Sequence, residues 1–414
     1  MDQEFIAKIE GHGRLHVNWQ KNKVNLEIFE GERLFEGLMV GRSIVEAPWI
    51  TSRICGVCPI AHNLSSLKAA EAALDIKVSE SVKELRKLMI VSQMVQSHVL
   101  HLYFLALPDY LNLDSGLEIS KKHPKHFKDA LTLKEFSDNL AEVVAGRRVH
   151  PTTTALGGFH RQPKKTEILK LLKDSIAALK SAENTAKLFI ELKYPKANLP
   201  VLFLSLFNGK SYATYEGSQI ISSRGDKFKP EDYKKFIKEE IKINSTAKFG
   251  YHQGGGMMVG ALARLNLQNK FLNPMAKKYF GLAKIDFQNP YHNNLAQAIE
   301  IVHFCEEAVK ILSRLSKKEL KGIEAPAWKF GQTKTGIGAI EAPRGTLYHE
   351  LKADTKGFVV SANIITPTVQ NLTSIEEAAQ RVLNATKKLP QKERSHLMEM
   401  LVRAYDPCIT CSVH

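Results

Sequence analysis

Two Cys-x-x-Cys pairs lie near opposite ends of this 414-residue chain, Cys55-Gly56-Val57-Cys58 and Cys408-Ile409-Thr410-Cys411, and they hold four of its five cysteines. Two-residue spacing lets both sulfurs of a pair reach one metal ion, and four thiolates suit zinc, an iron–sulfur cluster, or nickel with iron. By pairing alone, a structural zinc is the plainest reading. Zinc ribbons and fingers leave only about 12–20 residues between their pairs, whereas 350 positions separate Cys58 from Cys408. If the pairs share a metal, the fold must bring the two ends of the chain together. A thioredoxin-like redox pair is not supported, because neither pair sits in a strand–helix–strand pattern. Five cysteines in this length do not make a disulfide framework, so the thiols read as reduced.

The rest of the chain predicts an α+β fold, predominantly α-helical, with a central helical bundle and small antiparallel β-sheets. Leu15-His16-Val17-Asn18-Trp19 and Val24-Asn25-Leu26-Glu27-Ile28 alternate in period two around a turn at 20–23. Helical spacing sets in near residue 60. Ser81 with Glu84 reads as a capping box, and the apolar series from Val82 to Leu102 runs on to Pro108. Ile168, Leu169, Leu172, Ile176 and Leu179 predict the apolar stripe of a second long helix, and Leu295 to Leu315 a third. Strand and turn signals return over 342–371, a helix is expected over 374–388, and another precedes the tail. No repeat, linker or composition shift divides the chain, so residues 1–414 read as one intertwined domain.

The formal net charge of +15 is spread over scattered lysines, with no recognition helix or zinc-finger spacing, so no nucleic-acid partner is expected. No signal peptide and no membrane span are predicted, and the expected location is cytoplasmic.

The flanks of the cysteines are more specific than their spacing. Arg53-Ile54-Cys55-Gly56-Val57-Cys58-Pro59-Ile60-Ala61-His62 resembles the N-terminal signature of nickel–iron hydrogenase large subunits, and Asp406-Pro407-Cys408-Ile409-Thr410-Cys411-Ser412-Val413-His414 resembles their C-terminal one. Smaller motifs fall in the family's order: Glu10-Gly11-His12, Arg33-Leu34-Phe35-Glu36 with Gly41-Arg42, Ser97-His98 with His101, Gly146-Arg147 with His150-Pro151, and Ala342-Pro343-Arg344-Gly345. The resemblance spans residues 10–414.

It implies that all four thiolates bind nickel. Cys58 and Cys411 would also bridge to iron, and Cys55 and Cys408 would be terminal ligands. The iron would carry one carbon monoxide and two cyanides, and dihydrogen would be cleaved heterolytically, its proton passing to a nearby base. Glu10 resembles the family's proton-relay glutamate, expected beside Cys408. Arg344 resembles an arginine that hangs over the metals, where a permanently charged fork of donors can bond a cyanide nitrogen. Asp109 and Asp406 match the carboxylates that position it, Thr368 a hydroxyl donor to the second cyanide, and His62 a histidine that donates to a bridging sulfur. Glu36, His414 and the carbonyl of Ile364 match the ligands of a magnesium-type site, where the imidazole also leaves iron or manganese open.

The resemblance further implies that electrons pass to an iron–sulfur small subunit. Further electron-transfer subunits, nickel-insertion proteins and a maturation protease are implied with it. That protease cuts after the histidine, so an end at His414 is what a processed chain would show, and equally what a gene without the extension would encode. The length and the Leu105-Ala106-Leu107-Pro108-Asp109 run look like the cytoplasmic multi-subunit group, whose acceptors are nicotinamide nucleotides, a deazaflavin, or a flavin and iron–sulfur disulfide-reducing partner. Two other readings compete: a non-catalytic relative of the complex I quinone-site subunit, which has lost these cysteines, and a structural zinc protein. Asn208-Gly209-Lys210-Ser211 ends like a P-loop but has Leu204 where the first glycine belongs. Gly254-Gly255-Gly256 reads as a tight turn, and Cys305 as a buried small apolar residue.

Overall fold

The computed structural model describes residues 2–327, 329–331 and 334–414. Its long helices are α1 (Pro59–Leu74), α2 (Glu80–Val99), α3 (Pro124–Ala145), α4 (Lys165–Glu191) and α5 (Asn293–Leu315), then α6 (Pro367–Ala385) and α7 (Gln391–Ala404) near the C-terminus. Helices α2, α3, α4 and α5 form a bundle in which each packs on the next and α5 closes back onto α2.

Helix α2 is capped by Ser79, two residues before the expected cap; its hydroxyl accepts from the Val82 amide at 3.3 Å. Ser79 has the extended backbone that a cap needs, whereas Ser81 already lies in the first turn. The helix also runs past its predicted end. It widens into a π turn over Leu100–Ala106 and finishes as Leu107–Tyr110, where Pro108 owes no amide hydrogen bond. By length and composition Glu80–Tyr110 could cross a membrane, but 83% of the qualifying stretch is buried inside the molecule, as befits the centre of a bundle.

Helix α4 buries a different face from the predicted one. Ile168, Leu171, Ser175, Ala178 and Ala182 point inward, whereas Leu169 and Ile176 are exposed. Small side chains at the contact let α5 approach closely, and that gain outweighs covering two larger apolar groups.

The sheets are small. Gly13–Asn18 and Lys23–Ile28 pair antiparallel, as the alternation predicts, and Asp2–Phe5 adds a third strand to that sheet. Lys334–Ala342, Gly345–Ala353 and Val359–Ile365 form another near the C-terminus. A third is built on Leu202–Phe207, antiparallel to Gln219–Ser222; its short pairing with Met257–Met258 is parallel, a departure from the expected pattern. The C-terminal sheet lies against α1 with almost no clearance: a Cβ at Gly338 would meet the Ser65 carbonyl oxygen at 2.0 Å.

The chain ends do meet. Glu10 and Cys408 form a parallel bridge, the Ile409 amide donates to the Glu10 carbonyl at 2.9 Å, and the Arg33 amide to the Val413 carbonyl at 3.2 Å. Gly11 permits this: its φ is +81°, and a Cβ there would stand 2.7 Å from Ile409 Cβ. One apolar core runs from Ile6 to Val413 and includes the four paired cysteines.

Candidate metal centre

Each cysteine pair sits where the chain enters a helical turn. Cys58 directly precedes α1, with Pro59 at its first position, so His62 follows one turn later on the same face. At the other end α7 stops at Ala404, and Asp406 takes a left-handed conformation with φ +52°. That redirects the chain so that Cys408 leads into the short turn Ile409–Ser412.

The four sulfurs all lie within 4.8 Å of one another. Cys55 and Cys408 are 3.2 Å apart, Cys58 and Cys411 3.0 Å, and Cys408 and Cys411 3.0 Å. All four side chains are buried. Burial pushes the thiols of Cys408 and Cys411 well above their ordinary range, whereas hydrogen bonds from Cys408 and the other sulfurs hold Cys55 well below it. Four thiols this close cannot all ionise alone; a multivalent cation among them removes that obstacle. An all-sulfur donor set fits a soft metal such as nickel and offers nothing to a hard one.

Arg344, at the turn between the first two strands of the C-terminal sheet, overhangs a small cavity bounded by Cys58, Cys408, Cys411 and Thr368. Its Nε donates to the Asp406 carbonyl at 2.7 Å, Nη2 to Asp406 Oδ1 at 2.7 Å, and Nη1 to Ser97 Oγ at 3.1 Å. Burial works against its charge, but Asp406 and the cysteine sulfurs keep it protonated. His62 and the apolar Ala342, Pro343, Leu347 and Pro367 complete the cavity wall. Thr368 Oγ1 accepts from the Cys408 amide at 2.9 Å.

His62 Nε2 lies 3.6 Å from Cys411 Sγ, and its Nδ1 lies 3.1 Å from His349 Nε2. Burial lowers His62 to about 3, so the ring is neutral. His349 escapes a sequence reading because it sits in a strand whose alternation looks purely structural. Glu10 stands at the cluster's edge. Its Oε2 accepts from the Thr410 amide at 3.1 Å and its Oε1 from the Thr410 hydroxyl. That hydroxyl lies 3.9 Å from both Cys408 Sγ and Cys55 Sγ, so Glu10 reaches the sulfurs through Thr410 rather than directly.

Asp109 is not brought to Arg344, contrary to the sequence expectation. It accepts from Arg403 Nε at 2.6 Å and from Lys8 Nζ at 2.9 Å, partners at the end of α7 and near the N-terminus. Ser97 is the second side chain on Arg344.

Glu36, Ile364 and His414 come together as expected. Glu36 Oε1 accepts from the Ile364 amide at 2.6 Å, and His414 Nε2 lies 2.8 Å from the Ile364 carbonyl oxygen and 3.7 Å from Glu36 Oε1. Burial opposes its charge, but His414 and the Ile364 amide hold the Glu36 carboxyl below its ordinary value. Glu239 adds a carboxylate that sequence reasoning missed within a lysine-rich strand. It is electrostatically coupled to Glu36 and His414, burial raises it, and its buried Oε1 has no hydrogen-bond partner. Two carboxylates, a carbonyl and an imidazole suit a divalent cation.

The remaining motifs behave as ordinary structure. Asn208 Oδ1 accepts from the amides of Lys210 and Ser211, making a side-chain-closed turn. Cys305 is fully buried in α5 and lies outside the sulfur cluster.

Residues 33–127 and 207–414 match the family model described as nickel-dependent hydrogenase. The chain is 36% identical to the alpha chain of sulfhydrogenase 1 from Pyrococcus furiosus, over 99% of this chain and 97% of that protein. It is 30% identical to a component of the F420-non-reducing hydrogenase vhc from Methanococcus voltae, over 99% and 94%. Its fold matches a chain of the NAD+-reducing nickel–iron hydrogenase in the H2-reduced state with a TM-score of 0.89, at 25% identity and covering 100% of both chains. With both cysteine pairs inside the matched segments, the chain is an oxidoreductase acting on hydrogen and belongs to the nickel-dependent hydrogenase family as its large, catalytic subunit.

Proposed function

We propose that this chain, working as a single unit over residues 1–414, oxidises dihydrogen reversibly to two protons and two electrons, with nickel held by Cys55, Cys58, Cys408 and Cys411. The observation that carries this reading is the set of four buried sulfurs, drawn from both chain ends to within 4.8 Å beneath Arg344. The sulfurs associate first with first and second with second, Cys55 with Cys408 and Cys58 with Cys411. Cys58, Cys408 and Cys411 line the cavity under Arg344; by the family pattern Cys58 and Cys411 would also hold iron, and Cys55 and Cys408 would be terminal ligands of nickel. The nickel–iron pair, when bound with one carbon monoxide and two cyanides on iron, supplies the Lewis acidity and redox capacity for heterolytic cleavage.

The chain's own groups do the rest. Arg344 offers donors and a fixed charge in a closed, largely apolar cavity, where such interactions are strong. Thr368, whose Oγ1 accepts from the Cys408 amide, would have its hydroxyl proton free for the second cyanide. His62, neutral and backed by His349, turns a ring nitrogen toward Cys411. Glu10 takes the proton at its carboxylate, by way of Thr410, and delivers it toward solvent. Glu36, the Ile364 carbonyl and His414, with Glu239 nearby, hold magnesium or another divalent cation at the chain's end.

Electrons leave to an iron–sulfur small subunit; the relatives named above are parts of larger hydrogenases. A groove lined by Leu38, Arg42, Trp49, Ile50 and Arg53 suits such a partner, with Leu38 exposed in it. Further subunits pass electrons to a soluble acceptor, in a cytoplasmic enzyme matured by nickel insertion and proteolysis.

Metal analysis and infrared spectroscopy of the purified complex test the reading. Nickel and iron, with absorption bands of metal-bound cyanide and carbon monoxide, are expected. One zinc per chain without those bands refutes it.

A further inference from the structure

We infer that Gln297 and His101 are positioning residues for Arg344, acting through Asp406; the inference rests on the metal-centre reading above. Asp406 Oδ1 accepts from Arg344 Nη2, and its other oxygen, Oδ2, accepts from Gln297 Nε2 at 2.9 Å. An ionised carboxylate only accepts, so the amide must present its nitrogen to Asp406. Its oxygen then faces His101, whose Nδ1 lies 2.6 Å from Gln297 Oε1 and donates to it. His101 Nε2 lies 2.7 Å from the Arg403 carbonyl oxygen, again an acceptor only. The directions from Gln297 through Asp406 to Arg344 are therefore set by groups that have no alternative, while His101 meets an acceptor at each ring nitrogen and donates at both only with a proton on each.

The members come from separate elements: Gln297 from α5, His101 from the π turn, the Arg403 carbonyl from the end of α7, Asp406 from the left-handed residue that follows. All four side chains between the carbonyl and the cavity are at most 5% exposed, so water does not substitute for a missing partner. Arg403 is in turn fixed by Asp109, Glu399 and the Ala7 carbonyl. With one oxygen on Arg344 and the other on Gln297, Asp406 cannot rotate. Without Gln297 the carboxylate is held from the Arg344 side alone, and the guanidinium keeps its bonds to the Asp406 carbonyl and Ser97 but loses the fixed anchor for Nη2.

The test uses the holoenzyme complex with Gln297→Met, an apolar side chain of similar length. Nickel and iron content are expected at wild-type levels. The cyanide infrared bands are expected to shift and broaden as the Arg344 donors move, and turnover to fall roughly tenfold to a hundredfold. His101→Leu should reproduce that signature. His101→Asn, which keeps a donor where Nδ1 stood, should return the bands to near their wild-type positions. Should Gln297→Met not fold, the His101 pair decides by itself. Wild-type bands with full turnover in Gln297→Met or in His101→Leu overturn the inference and leave the metal-centre reading intact. An absence of cyanide bands in the wild type overturns both.

Discussion

Glu10 shows how one residue joins the two ends of the molecule. Its carbonyl pairs with the Ile409 amide while its carboxylate holds the amide and hydroxyl of Thr410. A proton leaving the cluster on this side passes a hydroxyl before it meets a carboxylate. Glu10→Gln keeps the shape and most of the hydrogen bonding but removes the proton acceptor. It should leave nickel and iron bound and slow dihydrogen/deuterium exchange about 100-fold or more. Exchange at the wild-type rate would remove Glu10 from the relay. Asp109 makes the opposite point: its motif position suggested Arg344, and its actual partners, Arg403 and Lys8, lie at the end of α7 and near the N-terminus, where no spacing rule places them.

Among the elements, the contact of α1 with the C-terminal sheet matters most, because α1 follows Cys58 and carries His62 in its first turn, and the sheet carries His349 with Arg344 in the turn between its first two strands. Glycine makes the contact possible. The Gly338 carbonyl accepts from Ser65 Oγ at 2.9 Å, and a Cβ there would overlap the Ser65 carbonyl oxygen. Gly338→Ala should force the sheet off the helix and cost about 1–3 kcal/mol of stability. A lower urea midpoint with reduced nickel occupancy is expected; an unchanged midpoint would show that the contact relaxes without cost. At this scale the sequence was a fair guide to which segments are helices and strands, but not to their faces. Helix α4 turned Leu169 and Ile176 outward because alanines and a serine opposite α5 pack more closely than the larger stripe would.

At the scale of the whole molecule, the bundle buries polar groups that must stay neutral. His303 on α5 is one, pushed down by burial to about 4 from 6.5, with its Nδ1 accepting from the Asn273 amide. Between those values the unfolded chain binds more protons than the folded one, so stability rises with pH across the window and falls on acidification. The full effect is on the order of 3 kcal/mol. Unfolding midpoints measured from pH 6.5 down to 4 should fall, and His303→Gln should flatten that slope. An equal slope in the variant would assign the acid sensitivity to other groups.

The chemistry of the site was legible in the sequence because its ligands travel in short motifs. The two Cys-x-x-Cys pairs, Glu10-Gly11, Arg344 within its turn, and the terminal His414 each carry a local signature, and together they implied that the ends of the chain meet. Spacing alone left zinc open, and so does a buried all-sulfur cluster; the flanking residues and the family match favour nickel with iron. Only the tertiary structure decided what stands behind those groups. Ser97 and Gln297 on helices, His349 in a strand, Glu239 in a lysine-rich hairpin and Thr410 between two sulfurs act by where other elements place them. Such contacts join residues up to 400 positions apart, and hydrogen-bond direction and burial, unlike ligand identity, leave no pattern along the chain.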